Sequence, residues 1–251
     1  MTTRRTFGLF AALLAAAAGV AQEPKAALPS TAKPGEVVPA TFRAYVAADD
    51  RFPPKVNPPL KPDDRDPRDR TAKVHCLVCE NGLSPVVAVF VRGHPKDVAP
   101  DGGVAKLAKA LDAKIPDYRA DRLAGFVAFL NVEGPAKTVT VTNAEGATTA
   151  VVELDAEYPD DEKRDEYATA IRDLAAATKT PNVPFALAPA ASKAAAAWGL
   201  GADDQVTVVI YNRLRVVNRW KFDAAGPTDD QVKEIVAAAE EMITGVKKAK
   251  E

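Results

Sequence analysis

Hydrophobic and polar positions follow strand-like and helix-like spacings in turn over the C-terminal two-thirds of the chain. Residues 86–91 are a continuous apolar run rich in β-branched side chains, and residues 123–130 repeat that pattern. Such runs are typical of strands that are covered on both faces. Between them, apolar residues recur at helical spacing at Val104, Leu107, Ala108, Leu111 and Ile115. The pattern therefore predicts a strand, a helix and a second strand.

The same alternation continues to the C-terminus. Residues 137–154 predict a hairpin because apolar residues alternate with threonines on both sides of a turn at 143–146. The remaining predicted elements are a helix over 160–178, a short strand over 183–187, a short helix over 190–198, a hairpin over 206–222 and a last helix that begins at a Thr228–Gln231 capping box. This succession indicates an α/β protein.

The first 71 residues have a different character. Arg4 and Arg5 precede an apolar run over 7–20, which predicts a signal peptide (residues 1–21) cleaved after Ala21. The paired arginines fit the twin-arginine route and an ordinary Sec signal equally well. Residues 22–71 are rich in proline and charge, and predict a flexible arm in which residues 41–46 form one short strand. We therefore expect an exported protein, either periplasmic or extracellular.

Charge and hydropathy narrow the choice of partners. The 33 basic and 34 acidic residues of the 251-residue chain nearly cancel, so the composition gives no sign of nucleic-acid binding. No apolar run after the signal peptide reaches the ~20 residues of a membrane helix, so no stable membrane insertion is expected after cleavage. An exported protein is the expected partner.

The order of elements resembles the thioredoxin-like fold, in the branch shared by extracytoplasmic thiol–disulfide oxidoreductases and peroxiredoxins. Residues 85–91 resemble its first core strand, and residues 183–189 with 194–200 resemble its "VPFPVL…A.AYGV" segment. The resemblance implies a three-layer α/β/α sandwich with a central mixed sheet over residues 72–246. The 137–154 hairpin is then an addition, residues 22–71 an extended N-terminal arm and residues 247–251 a basic tail.

Two hallmarks of that branch are missing. Its members carry a reactive cysteine just after the first core strand, where this chain has Arg92-Gly93-His94-Pro95. They also carry a cis-proline just before the closing hairpin, where this chain has Asp203-Asp204-Gln205. The activity of the branch therefore does not transfer residue by residue.

The chain's only cysteines and histidines lie within 20 residues, at His75, Cys76, Cys79 and His94. Cys76 and Cys79 have CxxC spacing; they point apart in a regular strand but approach one another in a turn. Three hypotheses remain open. The pair is a catalytic thiol–disulfide site, with His75 supplying positive charge when protonated. Alternatively, it is a structural disulfide in an inactive binding module, or all four residues bind zinc or copper(I). No other cofactor is expected.

Overall fold

A central seven-stranded mixed sheet organises the molecule. The computed structural model describes residues 34–38, 41–53, 66–131, 137–142, 144, 146, 148–154 and 161–248. The predicted signal peptide lies outside the described residues, as do most of the predicted basic tail and parts of the predicted arm. The strands of the sheet are β1 (Arg43–Ala48), β2 (Lys73–Cys76), β3 (Val86–Arg92), β4 (Ala124–Asn131), β7 (Phe185–Pro189), β8 (Val206–Asn212) and β9 (Arg215–Phe222). Their order across the sheet is β2-β1-β7-β4-β3-β8-β9.

Three parallel strands form the centre of this sheet. β4 pairs in parallel with β3 on one side and with β7 on the other. β8 pairs antiparallel to β3, and β9 completes the predicted hairpin with β8. At the opposite edge, β1 and β2 pair antiparallel to each other, and β1 pairs antiparallel to β7. Every residue of β3 except Arg92 is buried, as its unbroken apolar sequence predicts.

Helices cover both faces of the sheet. One face packs against α2 (Gly103–Lys114), α3 (Asp161–Thr178) and α5 (Asp229–Lys248). The other face packs against two short helices, α1 (Leu77–Asn81) and α4 (Lys193–Ala197). These layers and the central mixed sheet are the thioredoxin-like α/β/α sandwich that the sequence predicts. The predicted hairpin, β5 (Lys137–Thr142) and β6 (Thr148–Leu154), is confirmed as a separate two-stranded sheet.

Local sequence features explain where several elements begin and end. The Thr228 N–H donates to Gln231 Oε1 at 2.8 Å, and the Gln231 N–H reaches Thr228 Oγ1 at 3.4 Å. This reciprocal pair is the predicted capping box at the start of α5. Gly199 follows α4 with a φ of +63°, a left-handed conformation that glycine adopts readily.

The sheet begins earlier than the sequence predicts. β1 lies between β2 and β7, so residues N-terminal to the predicted boundary at 72 belong to the sandwich rather than to a flexible arm. The buried side chains of β1 join the core, and Asp49, directly after the strand, is also buried. The local sequence pattern does not show that β1 belongs to the sheet, because β1 is short and its partner β7 lies far along the chain.

None of the helices within the described ranges is long and apolar enough to span a bilayer.

Candidate functional site

The two cysteines lie where β2 ends and α1 begins. Cys76 is the last residue of the strand, and Leu77 is the first residue of the helix. This change of backbone conformation brings positions 76 and 79 together, with Cα atoms 5.2 Å apart and a disulfide bond between the sulfurs. The Cα separation lies within the usual range for disulfides. The prediction that a turn allows the pair to meet is confirmed.

The disulfide is accessible to solvent on one side. Cys79 is exposed and Cys76 is half-buried. Leu77 and Val78, between them, are 1% and 4% exposed and pack into the core beneath the helix. The Cys79 N–H donates to Cys76 Sγ at 3.1 Å. Cys79 is therefore the more exposed of the two bonded residues, and the Cys76 sulfur already has a backbone donor.

A network of polar and charged side chains connects the residues on either side of the cysteine pair. His75 Nε2 lies 3.2 Å from Glu80 Oε2, and Glu80 Oε1 lies 3.0 Å from Arg51 Nη2. Arg51 in turn donates to both carboxylate oxygens of Asp49, at 2.8 and 2.7 Å. The Asp49 side chain is fully buried, and a buried carboxylate needs such a partner. The network fixes both flanks of the disulfide relative to β1.

His75 differs from its sequence-based expectation. Burial lowers its pKa, and the nearby Arg70 and Arg51 lower it further, while Glu80 and Asp49 oppose the shift. The neutral imidazole is therefore favoured at neutral pH, so His75 is suited to accept a proton rather than to supply positive charge. Its Nε2 is near Glu80 but lacks the alignment of a hydrogen bond.

The segment after β3, where the thioredoxin-like branch carries its cysteine, has a different structure here. His94 precedes a short 3₁₀ helix over Pro95–Asp97, and its Nδ1 accepts the Lys96 N–H at 3.1 Å. The His94 ring also packs against the ring of Tyr167, with centroids 4.2 Å apart. His94 thus caps a turn and packs on α3.

The four predicted metal ligands do not come together. Cys76 is on β2, and four strand spacings separate β2 from β3 in the sheet order, which is about 19 Å at ~4.8 Å per spacing. His94 follows β3, and both sulfurs are joined in the disulfide. Over the described part of the chain, no three His, Cys, Asp or Glu side chains are placed to hold a metal ion.

The segment that replaces the cis-proline is held by its own polar contacts. Arg92 N–H donates to the Gln205 carbonyl at 2.7 Å. Asp204 Oδ2 accepts the Gly201 N–H at 2.9 Å and lies 2.7 Å from Lys221 Nζ. Asp204 therefore stabilises this loop, and its carboxylate is already engaged.

A cleft of about 870 Å³ lies beside α1, and the sequence does not anticipate it. We call it the arginine cleft, because its lining includes Arg68, Arg119, Arg122 and Arg213. Glu80 and Asn81 of α1 form part of its wall, although neither cysteine reaches it. Its arginines come from distant parts of the chain, so no local pattern indicates that they share a surface.

No protein-family model matches the chain, and no curated protein matches its sequence. Solved structures do align with it. AhpC from Mycobacterium tuberculosis is 11% identical, with a TM-score of 0.46 over 85% of this chain and 99% of that chain. A putative thiol:disulfide interchange protein, DsbE, from Chlorobium tepidum is 14% identical, with a TM-score of 0.42 over 83% and 99%. An uncharacterized conserved protein from Geobacillus kaustophilus is 15% identical, with a TM-score of 0.48 over 87% of both chains. At these identities and TM-scores the alignments carry no information about activity.

Proposed function

We propose that this protein is an exported thioredoxin-fold protein that exchanges disulfides with a partner protein through Cys76 and Cys79. The observation that carries the proposal is the solvent-exposed Cys79 in a disulfide whose other sulfur accepts a backbone N–H. A disulfide that only stabilises a fold needs neither an exposed sulfur nor a hydrogen-bond donor for its partner. Both features favour exchange.

The exchange has two steps. A thiolate of the reduced partner attacks Cys79 Sγ, the Cys76–Cys79 bond breaks, and Cys76 leaves as a thiolate. The Cys79 N–H that already donates to Cys76 Sγ stabilises that negative charge. The partner's second thiolate then attacks the mixed disulfide and releases Cys79. The partner ends with a disulfide, and this protein gains two electrons and, after protonation, two protons.

His75 precedes Cys76 in the chain, and we assign it a supporting role in proton exchange. It is adjacent to Cys76, and burial holds its pKa below the ordinary value. A neutral imidazole is a general base, and in this proposal His75 exchanges protons with solvent beside the disulfide. In this role His75 assists exchange without contacting the partner's sulfur.

The alternative function is a binding module whose disulfide is structural. The observation in its favour is the segment after β3, where His94 caps a turn and no thiol is present. A ring closed by so few residues contributes roughly 2 kcal/mol of stability by loop entropy. Because that contribution is modest, stability alone is a weak explanation for the presence of the Cys76–Cys79 disulfide.

Reduction of insulin by dithiothreitol tests the proposal. We expect the wild-type protein to accelerate the reaction, and Cys76→Ser and Cys79→Ser each to reduce the rate to the uncatalysed level. His94→Ala is the matched control, because it changes the usual catalytic position of the fold and leaves the disulfide intact. Equal rates for wild type and the serine variants would favour the binding-module alternative.

Export is tested separately by cell fractionation. The proposed leader contains Arg4 and Arg5 before its apolar run. If the twin-arginine route is used, Arg4→Lys with Arg5→Lys blocks export, because that route reads the arginine pair itself. If the Sec route is used, the same variant is exported normally, because lysine preserves the positive charge.

A further inference from the structure

The arginine cleft has an excess of positive charge. Four arginines line it, together with two carboxylates, Glu80 and Asp121. Glu80 is already held by Arg51 and His75. The cleft is open to solvent, and its volume of about 870 Å³ accommodates several residues of an extended peptide.

Three of the four guanidiniums have no partner. Among the residues that the structure describes, the side chains of Arg119, Arg122 and Arg213 make no hydrogen bond or ion pair. Several arginines elsewhere are engaged; Arg164, for example, pairs with Asp161 and Asp165. These three arginines share one surface and keep their full capacity to bind carboxylates.

The backbone at two of these arginines favours other residue types. Arg122 has a φ of +61°, and Arg213, in the tight turn between β8 and β9, has a φ of +51°. Glycine and asparagine adopt this left-handed conformation at lower cost, and turns with two such residues favour Asn-Gly. The left-handed backbone therefore does not account for arginine at these two positions.

The cleft also offers apolar contacts between its charges. Leu83 is 66% exposed and lies in the lining with Ile115 and Ile243. At one end, the Arg68 guanidinium lies 4.5 Å from the centre of the Phe52 ring and donates to Asp66 at 3.0 and 2.8 Å. Exposed apolar side chains among arginines are characteristic of protein–protein interfaces.

We propose that the arginine cleft binds an acidic, extended segment of a partner protein, with glutamate or aspartate on the arginines and an apolar residue on Leu83. Because α1 forms the wall beside the cleft, a bound segment lies next to the helix that carries Cys79. Identifying the occupant as a redox partner rests on the proposed exchange function. The binding itself involves no thiol and is tested without one.

The test is fluorescence anisotropy with a labelled peptide of glutamates around a central leucine and no cysteine. We expect Arg122→Asn and Arg213→Asn each to weaken binding about threefold to fivefold, the scale of one exposed charge pair. Because asparagine suits the left-handed backbone, neither variant lowers the melting temperature. Arg172→Gln on α3 is the charge-matched control, since Arg172 is exposed outside the cleft, and it leaves the affinity unchanged.

Several results overturn the proposal. One is a wild-type affinity that Arg122→Asn and Arg213→Asn leave unchanged, or that Arg172→Gln weakens equally. Another is equal binding of a lysine–leucine peptide, or competition by inorganic phosphate as effective as by the glutamate peptide. A third is a wild-type dimer in light scattering that the two asparagine substitutions dissociate, because a second copy then fills the cleft. The Cys76→Ser/Cys79→Ser double variant binds the peptide normally, so failure of exchange leaves this inference intact.

Discussion

Two strand-to-helix junctions of this molecule share a local geometry and differ in chemistry. After β2, the Cys76 sulfur accepts the backbone N–H of Cys79. After β3, the His94 imidazole accepts the backbone N–H of Lys96. In both, a side chain at the start of a helical turn meets a free amide, which is the general solution for helix beginnings. Only the first places a sulfur there, so the residue type decides which of the two junctions can carry thiol chemistry.

The surroundings of the two junctions reinforce this contrast. Beside the cysteine pair lie a half-buried histidine with a lowered pKa and an ion network that reaches Asp49. Beside His94 lie the ring of Tyr167 and an exposed Lys96–Glu166 pair. The first environment is polar and charged, whereas the second supports packing between β3 and α3.

The largest expected effect is on exchange activity. In the Cys76→Ser variant, Cys79 keeps a thiol but has no internal partner, so we expect it to form a lasting mixed disulfide with a thiol substrate. In Cys79→Ser, the half-buried Cys76 forms that adduct much more slowly. Mass spectrometry of both variants after incubation with a peptide that carries a single thiol, in an oxidising buffer, measures the difference. Equal trapping by the two variants would contradict Cys79 as the attacked sulfur.

The next effect is on stability, at the strand that links the two junctions. Phe90, in the centre of β3, is buried and packs edge-to-face on Phe42 and Phe126. Phe90→Ala is expected to lower the free energy of unfolding by about 3–5 kcal/mol, because it leaves a cavity. Urea denaturation monitored by circular dichroism measures this loss. A loss below about 1 kcal/mol would mean that the aromatic cluster is not the core of this face.

Removing the disulfide is expected to cost less. The Cys76→Ser/Cys79→Ser double variant should lose about 2 kcal/mol or less, a decrease of roughly 4–8 °C in melting temperature for a chain of this size. Differential scanning calorimetry of the oxidised wild type and the variant gives the comparison. A loss as large as that of Phe90→Ala would instead identify the bond as a main support of the fold.

The smallest effect is the pH dependence that His75 contributes. Burial lowers its pKa in the folded protein below the ordinary value of 6.5. Between the lowered value and 6.5, the unfolded chain binds more protons, so stability decreases as the pH falls through this window. His75→Gln is expected to remove that decrease, with a change in melting temperature smaller than that caused by losing the disulfide. Melting curves from pH 7 to pH 5 test this, with His94→Gln as the control.

The sequence predicts the elements whose evidence is local. The apolar run of β3, the Thr228–Gln231 capping box and the β8–β9 hairpin are all confirmed. The sequence places β1 in a flexible arm and does not predict that it joins the sheet. Its place there depends on pairing with β7, whose residues lie about 140 positions later. Sequence spacing does not reveal such distant pairing.

The candidate site was predictable only in part. CxxC spacing indicated that Cys76 and Cys79 meet in a turn, and the bond confirms this. The direction in which the pKa of His75 shifts depends on burial and on Arg51 and Arg70, and only folding brings these arginines close to His75. His94 is a predicted metal ligand because it lies close to the cysteines in sequence. In the structure it follows β3, which lies far from β2 in the sheet.

The most direct test of disulfide exchange through Cys76 and Cys79 is a redox titration of the native protein in glutathione buffers. After each equilibration, free thiols are labelled and counted by mass, while circular dichroism follows the fold. If Cys76 and Cys79 exchange disulfides, the pair gains two labels together, reversibly, while the protein stays folded. Labels that appear only after unfolding would contradict it and identify the disulfide as structural.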